Sequence, residues 1–223
     1  MVSATRPTRA DYYSALASSL PTQALVVTSL GNASYLWAVV HHAPENFYIE
    51  DAMGLALPLA LGLAISQPKR PVIVVEGDGA LFMHMGALVT VGAVSAANLT
   101  VLLVQNGVHA ASGGQVLTNS GLDLAQLARA AGIVNAENIA TPHALAAAMR
   151  SSPARGGSKV LVLTTEPDLE MVHPPIALDP ILTKHRFMSA IGAPRYIPTM
   201  FGGGQLENKS TPTVRNYSGC RLI

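Results

Sequence analysis

The residues of this chain best suited to chemistry are Asp78, set between Gly77 and Gly79, and Asn106, with twenty-six residues separating Gly79 from Asn106. Each follows an apolar run, VIVVE in the first case and LTVLLVQ in the second. An acid between two glycines lets backbone approach a bulky anion closely while one carboxylate stays available. Asn106 offers a carboxamide oxygen. Mg2+ takes oxygen ligands in octahedral geometry, few of them from protein and the rest from phosphate and water. Asp78 and Asn106 make such a partial set. The N–H groups of Gly79 and Ala80, at the start of a helix expected from Leu81, favour a phosphate group. A plainer reading stands beside this one, since Gly-Asp-Gly after a strand is often only a tight turn. A dinucleotide fingerprint fails, because Phe82 stands where the third glycine of G-x-G-x-x-G belongs.

His109, three residues after Asn106, is placed to act on substrate or move a proton, or else to pack behind the site. His84, among Phe82, Met83 and Met85, reads as a core or interface residue, and Met83, Met85 and Leu88 as core filling. His41, His42 and His173 have no partner at a metal-ligand spacing. Gln115 either faces a ligand or caps the turn that follows it.

These residues need a scaffold. Short apolar runs recur at Ala24–Thr28, Phe47–Ile49, Val72–Glu76, Leu99–Gln105 and Lys159–Thr165. Most are continuously apolar, as in strands buried on both faces of a parallel sheet. Stretches of helical length lie between them: Tyr35–His42, Met53–Ser66, Leu81–Ala97, Leu122–Ala131 and Pro142–Ser151. The alternation predicts an α/β fold, a doubly wound parallel sheet with helices on both faces. Ligands of such sheets bind outside the carboxyl ends of the strands, here the segments after Thr28, Ile49, Glu76 and Gln105. The Ala52–Ser66 stretch has no polar face, which predicts burial all round in core or interface, with Pro58 loosening its first turns. A proline-rich connector follows Thr165, and Ile181–Ile191 predicts a last helix. One domain is expected over 1–193, and a tail over 194–223.

Composition narrows the classes further. Of 223 residues 49% are hydrophobic and 12% charged, which excludes general disorder and favours an obligate oligomer. Fourteen basic against thirteen acidic residues leave no electrostatic footprint for nucleic acid or an anionic membrane. A single cysteine, Cys220, excludes a disulfide scaffold, a cysteine zinc site and a cysteine-held iron–sulfur cluster. The first residues lack the apolar stretch of a signal peptide, so a cytoplasmic location is expected.

The paired Gly-Asp-Gly and Asn resemble the signature of thiamine diphosphate-dependent enzymes, over about Leu25 to Gly192. The resemblance implies Mg2+ held by Asp78, Asn106 and the backbone carbonyl of Val108. It implies a diphosphate held by Gly77, Gly79, Ala80 and the segment around His109. The run YIEDAMGLALPLALGLA resembles the segment whose bulky apolar residue shapes the cofactor, which implies that role for Met53, with the Asp51 carbonyl meeting the aminopyrimidine. Gly31 and Asn32 match a phosphate-side loop less closely. NGVHAASGGQ and DPILTKHRFMSAIG are most similar to the decarboxylases of sulfopyruvate and phosphonopyruvate. Ala110, Ala111 and Gln105 depart from their pattern, which leaves the ion site intact and weakens any inference about substrate.

Enzymes of this kind bind cofactor between two α/β domains, one of them supplying an activating glutamate. No second domain fits before Ala24, and Glu45, Glu50 and Glu76 are poor candidates for that glutamate. The resemblance therefore implies a β-type subunit of a decarboxylase of small 2-oxo acids, active with a partner subunit that carries the glutamate. Carboligation through the same cofactor, and a non-catalytic assembly subunit that keeps the fold, are the rival expectations.

Overall fold

The structure, a computed structural model, describes residues 6–152, 156–174, 176 and 178–193, together with the backbone of 196–197 and 205–206. Six parallel strands form its sheet: β1 (Leu25–Thr28), β2 (Asn46–Tyr48), β3 (Val72–Gly77), β4 (Leu99–Gln105), β7 (Asn135–Ile139) and β8 (Lys159–Thr164). Their order across the sheet is β2-β1-β3-β4-β8-β7. Two two-residue strands, β5 (Val108–His109) and β6 (Gln115–Val116), make a small antiparallel pair beyond β4.

Alternate residues of the central strands feed two separate apolar layers. Leu25, Val27, Val74, Val101 and Val162 point to α3 (Ala56–Ser66), α5 (Gly86–Val94), α6 (Leu124–Ala130) and α8 (Pro180–Ala190). Val26, Ile73, Leu102, Val104 and Leu161 point to α1 (Arg9–Ser19), α2 (Asn32–Val40) and α7 (Pro142–Arg150). Each fully buried Val or Leu is worth on the order of 1.5–3 kcal/mol relative to exposure, so two filled layers explain runs apolar at every position. The expected doubly wound sheet is what the chain forms.

Several local expectations are corrected. The single helix expected over Leu81–Ala97 is two helices, α4 (Asp78–Met83) and α5, because His84 leaves helical geometry at φ −142° and ψ 49°. Met83 and Met85 at this break are 66% and 44% exposed, so neither fills the core, and His84 is exposed with its Nδ1 3.2 Å from the Gly54 carbonyl. Helix α3 begins at Ala56, which puts Met53 in the turn before it. Pro58 falls in the first turn, where no helical carbonyl awaits its missing N–H, so it breaks nothing. The core of this chain covers only part of α3, and Leu55, Leu59 and Ile65 beside it are exposed in the single chain.

Helix α1 and strand β7 are the longest elements with no counterpart in the sequence reading. Helix α1 is started by a capping box, with Thr8 Oγ1 accepting from the Asp11 N–H and Asp11 Oδ2 accepting from the Thr8 N–H. Strand β7 pairs only with β8 among the described residues and exposes Glu137 and Asn138, so its sequence is too polar to read as a strand. The tail expected after Pro194 lies outside the described residues, apart from a short antiparallel pairing of β9 (Tyr196–Ile197) with β10 (Gln205–Leu206). Among the described residues no helix is long and apolar enough to cross a membrane.

Candidate functional site

The order of the strands locates the site. From β1 the chain moves outward to β2, then returns past β1 to β3, so the connections after β1 and β3 diverge and leave a crevice at the carboxyl ends. That crevice is lined by Ser29 and Leu30 after β1, Gly77 to Ala80 after β3, and Asn106, Val108 and His109 after β4. Met53, Asn32 and Arg9 complete its walls. Of the four segments expected to converge, three do so fully, and the one after Ile49 contributes Met53.

Asp78 is 2% exposed. Its Oδ1 accepts from the Gly79 N–H at 2.9 Å and its Oδ2 from the Gly107 N–H at 2.8 Å. Burial pushes its pKa up, and the hydrogen bonds from Gly107 and Gly79 and the charge of Arg9 pull against that rise. A carboxylate taken this far from water calls for a further positive charge. Asn106, also buried, accepts from the Val108 N–H through Oδ1 at 3.1 Å, which leaves that oxygen a second lone pair. A carboxylate and a carboxamide oxygen facing one crevice are hard donors that fit Mg2+. Among the described residues there is no cluster of three or more His, Cys, Asp or Glu side chains that could hold a metal by themselves.

The Met53 turn is locked to α4 by Gly54. That glycine has φ +81°, and a Cβ there would sit 2.8 Å from the Ala80 carbonyl oxygen and 2.9 Å from the His84 Cβ. The Gly54 turn thus packs on the end of α4, and Met53 and Asp78 line the same crevice. His109 is half-buried, on β5 opposite Gln115, and its ring lies against Gly79.

Other expected residues are placed differently. The carboxamide of Asn32 is taken up by the 168–172 segment: Nδ2 donates to the carbonyls of Glu170 at 2.7 Å and Asp168 at 3.3 Å, and Oδ1 accepts from the Val172 N–H at 3.0 Å. Gly31, at φ +69°, packs against Ala111. Asp51 borders a separate, largely apolar hollow with Phe47, Tyr48 and Leu55 and does not line the crevice. Gln115 caps the turn before it rather than the one after, donating to the Ser112 carbonyl at 2.9 Å. Gln105 ties down the following loop through the Leu122 carbonyl at 2.8 Å.

Sequence reasoning missed Arg9 and Asp168. Arg9 is 7% exposed, lines the crevice, and its Nη2 lies 2.9 Å from Asp168 Oδ1. The capping-box pattern Thr8-x-x-Asp11 could have revealed α1, and a cation in a helix's first turn opposes the helix dipole, a local hint that Arg9 is held by a distant acid.

Glu76 lies fully buried beside Asp78's strand end, and neither of its carboxylate oxygens has a well-formed hydrogen bond among the described residues. Burial pushes its pKa up to about 7, against the opposing pull of the nearby Ser29 hydroxyl and the N–H groups of Leu57, Gly77 and Ala56. Those of Ala56 and Leu57 open α3, which has no side-chain cap of its own.

Residues 30–163 match the family described as thiamine pyrophosphate enzyme, C-terminal TPP binding domain. The chain belongs to that family. This thiamine pyrophosphate (thiamine diphosphate) binding domain is 42% identical over 130 residues to phosphonopyruvate decarboxylase from Streptomyces viridochromogenes, covering 58% of the chain and 32% of that relative. It is 34% identical over 170 residues to sulfopyruvate decarboxylase subunit beta from Methanococcus maripaludis, covering 76% of the chain and 90% of the relative. The chain thus spans about a third of the phosphonopyruvate decarboxylases it matches and nearly all of that beta subunit. A thiamin diphosphate-dependent enzyme of Mycobacterium smegmatis shares the fold, with TM-score 0.61 and 23% identity over 72% of this chain and 32% of that one. The thiamine diphosphate-binding fold expected from Gly-Asp-Gly and Asn106 is borne out.

Proposed function

We propose that the chain is the diphosphate-binding subunit of a thiamine diphosphate- and Mg2+-dependent decarboxylase of a small anionic 2-oxo acid. Its substrate would resemble sulfopyruvate or phosphonopyruvate, and its products would be CO2 and an aldehyde. One observation carries the reading: Asp78 and the Asn106–Gly107 turn, from different strand ends, meet at the β1/β3 crevice, where the Gly107 N–H binds Asp78 Oδ2. When bound, thiamine diphosphate supplies the centre that accepts the electron pair left by departing CO2.

The chain's own residues then have separate tasks. Asp78, Asn106 and the Val108 carbonyl hold the ion, and with it the diphosphate. Gly77, Gly79 and Ala80 leave room for the phosphates at the start of α4. Met53 presses on the cofactor from the Gly54 turn. The His109 imidazole stands at the crevice wall, where it can hold or move a proton for the reacting group. Arg9 is the cation that an anionic substrate or the diphosphate meets in this half of the site. Residues 1–193 form the domain that does this.

A partner subunit belongs to the reading. No glutamate lines the crevice among the described residues, and Glu76 is sealed in the protein interior. The methanogen relatives matched over 90% and 97% of their length carry the name subunit beta. We therefore assign the activating glutamate to a second, pyrimidine-binding subunit. A cytoplasmic location goes with a charged cofactor and substrate, neither of which crosses a bilayer unaided.

The test is CO2 release by the complex isolated through this chain, supplied with thiamine diphosphate and Mg2+ and offered sulfopyruvate, phosphonopyruvate or pyruvate. Release from one of the anionic acids, lost in Asp78→Ala, is the expected result. Full activity in Asp78→Ala overturns the reading.

A further inference from the structure

Resting on that metal site, we infer that Asp168, braced by Arg9, is a positioning residue that sets which end of the Asn106 carboxamide faces the ion. The two ends of a carboxamide are nearly identical in shape, and only the hydrogen-bond partners decide their order. A ligand for Mg2+ must present oxygen. In this site Oδ1 accepts from the Val108 N–H at 3.1 Å, while Nδ2 lies 3.4 Å from Asp168 Oδ1. An ionised carboxylate only accepts, so a flipped carboxamide would set oxygen against carboxylate and NH2 against the Val108 N–H. At 3.4 Å the contact with Asp168 is long, and its value lies in orientation rather than in strength.

Asp168 is itself held from two directions. Arg9 Nη2 meets the same Oδ1 at 2.9 Å, from a guanidinium that is 7% exposed and whose buried Nε has no partner among the described residues. The backbone of Asp168 is fixed by Asn32, which binds the carbonyls of Asp168 and Glu170 and the N–H of Val172. Leu169 rests in the space left by the missing side chain of Gly114, where a Cβ would come within 2.9 Å of it. The segment after β8 is therefore a strap held at Asn32, Arg9 and Gly114. Arg9 has a second effect, since it offsets the negative charge that Asp168 would otherwise set beside Asp78 and a diphosphate.

Partners of this kind, one bond removed from the metal, typically change metal affinity by about 10–100-fold when they are lost. The experiment measures Mn2+ binding by electron paramagnetic resonance, on the complex isolated through the full chain with thiamine diphosphate present. Asp168→Ala removes the acceptor that faces the Asn106 Nδ2, so the Val108 N–H alone is left to order the carboxamide. The expected result is Mn2+ affinity weaker by about 10–100-fold in Asp168→Ala. Unchanged Mn2+ affinity in Asp168→Ala overturns the inference. Should that variant fail to assemble, Asp168→Leu, which keeps the bulk but has no acceptor, is measured in its place, with weakened binding expected and unchanged binding again overturning the inference. Failure of the wild-type complex to bind Mn2+ would instead overturn the metal site itself.

Discussion

The imidazole of His109 occupies the space that a side chain on Gly79 would need: a Cβ there would lie 2.7 Å from Nδ1 and 2.8 Å from Cε1. Gly79 sits in α4 without a positive φ, so this glycine is required by proximity rather than by backbone conformation. The second glycine of the motif therefore does two things. Its N–H binds Asp78, and its bare Cα admits the histidine.

Gly79→Ala follows directly. The His109 ring is the far end of a side chain and can swing away, so the expected loss of stability is only about 1 kcal/mol. The displaced imidazole and narrowed crevice should lower activity on the order of 10²-fold, the usual cost of misplacing a reacting group by an ångström. Thermal melting and decarboxylation assays on the same preparation check both halves.

Met53→Ala tests the shaping role. The side chain is half-buried on a turn held by Gly54, so folding should change by no more than about 1 kcal/mol. Thiamine diphosphate affinity should fall roughly tenfold, equivalent to about 1.4 kcal/mol of lost contact. Calorimetric titration of the complex with cofactor measures it.

Asn32→Ala should release the strap. Three hydrogen bonds to the 168–172 segment disappear, worth together about 2 kcal/mol or somewhat more. Hydrogen exchange at the Val172 amide should quicken sharply while the amides of β3 and β4 keep their protection. Equal protection of Val172 in variant and wild type would rule this out.

Glu76 should make the metal-free protein less stable as pH rises. Its folded pKa of about 7 lies above the ordinary 4.5, so between those values the native state binds more protons than the unfolded one. The penalty is absent below about pH 4.5 and complete above about pH 7, where it amounts to roughly 3 kcal/mol. Asp78, also raised by burial, acts in the same direction. Urea melts of chelator-treated protein across this range should show stability falling with pH, and Glu76→Gln should flatten most of the slope.

Much of this site was legible in the sequence because its evidence is local. VIVVE and LTVLLVQ are apolar at nearly every position, as only doubly covered strands are, and the residues that follow them sit at strand ends. The break at His84 was not legible: it depends on a ring anchored to the Gly54 carbonyl and on Gly86 beginning a new helix. The exposure of Met83 and Met85 was likewise invisible, since an apolar residue carries no local sign of whether anything covers it.

The sequence by itself determined the parallel sheet, the pair Asp78 and Asn106, and the cofactor class that their spacing resembles. Tertiary structure alone decided what stands behind them. Residues 9 and 168 are 159 positions apart, and residues 32 and 168 are 136 apart. They meet at Asp168, which reaches Asn106, only because α1 lies under one face of the sheet while β8 delivers its trailing segment over the adjoining strand end. Contacts of that kind arise from the order in which strands are laid down across the sheet, which no short stretch of residues encodes.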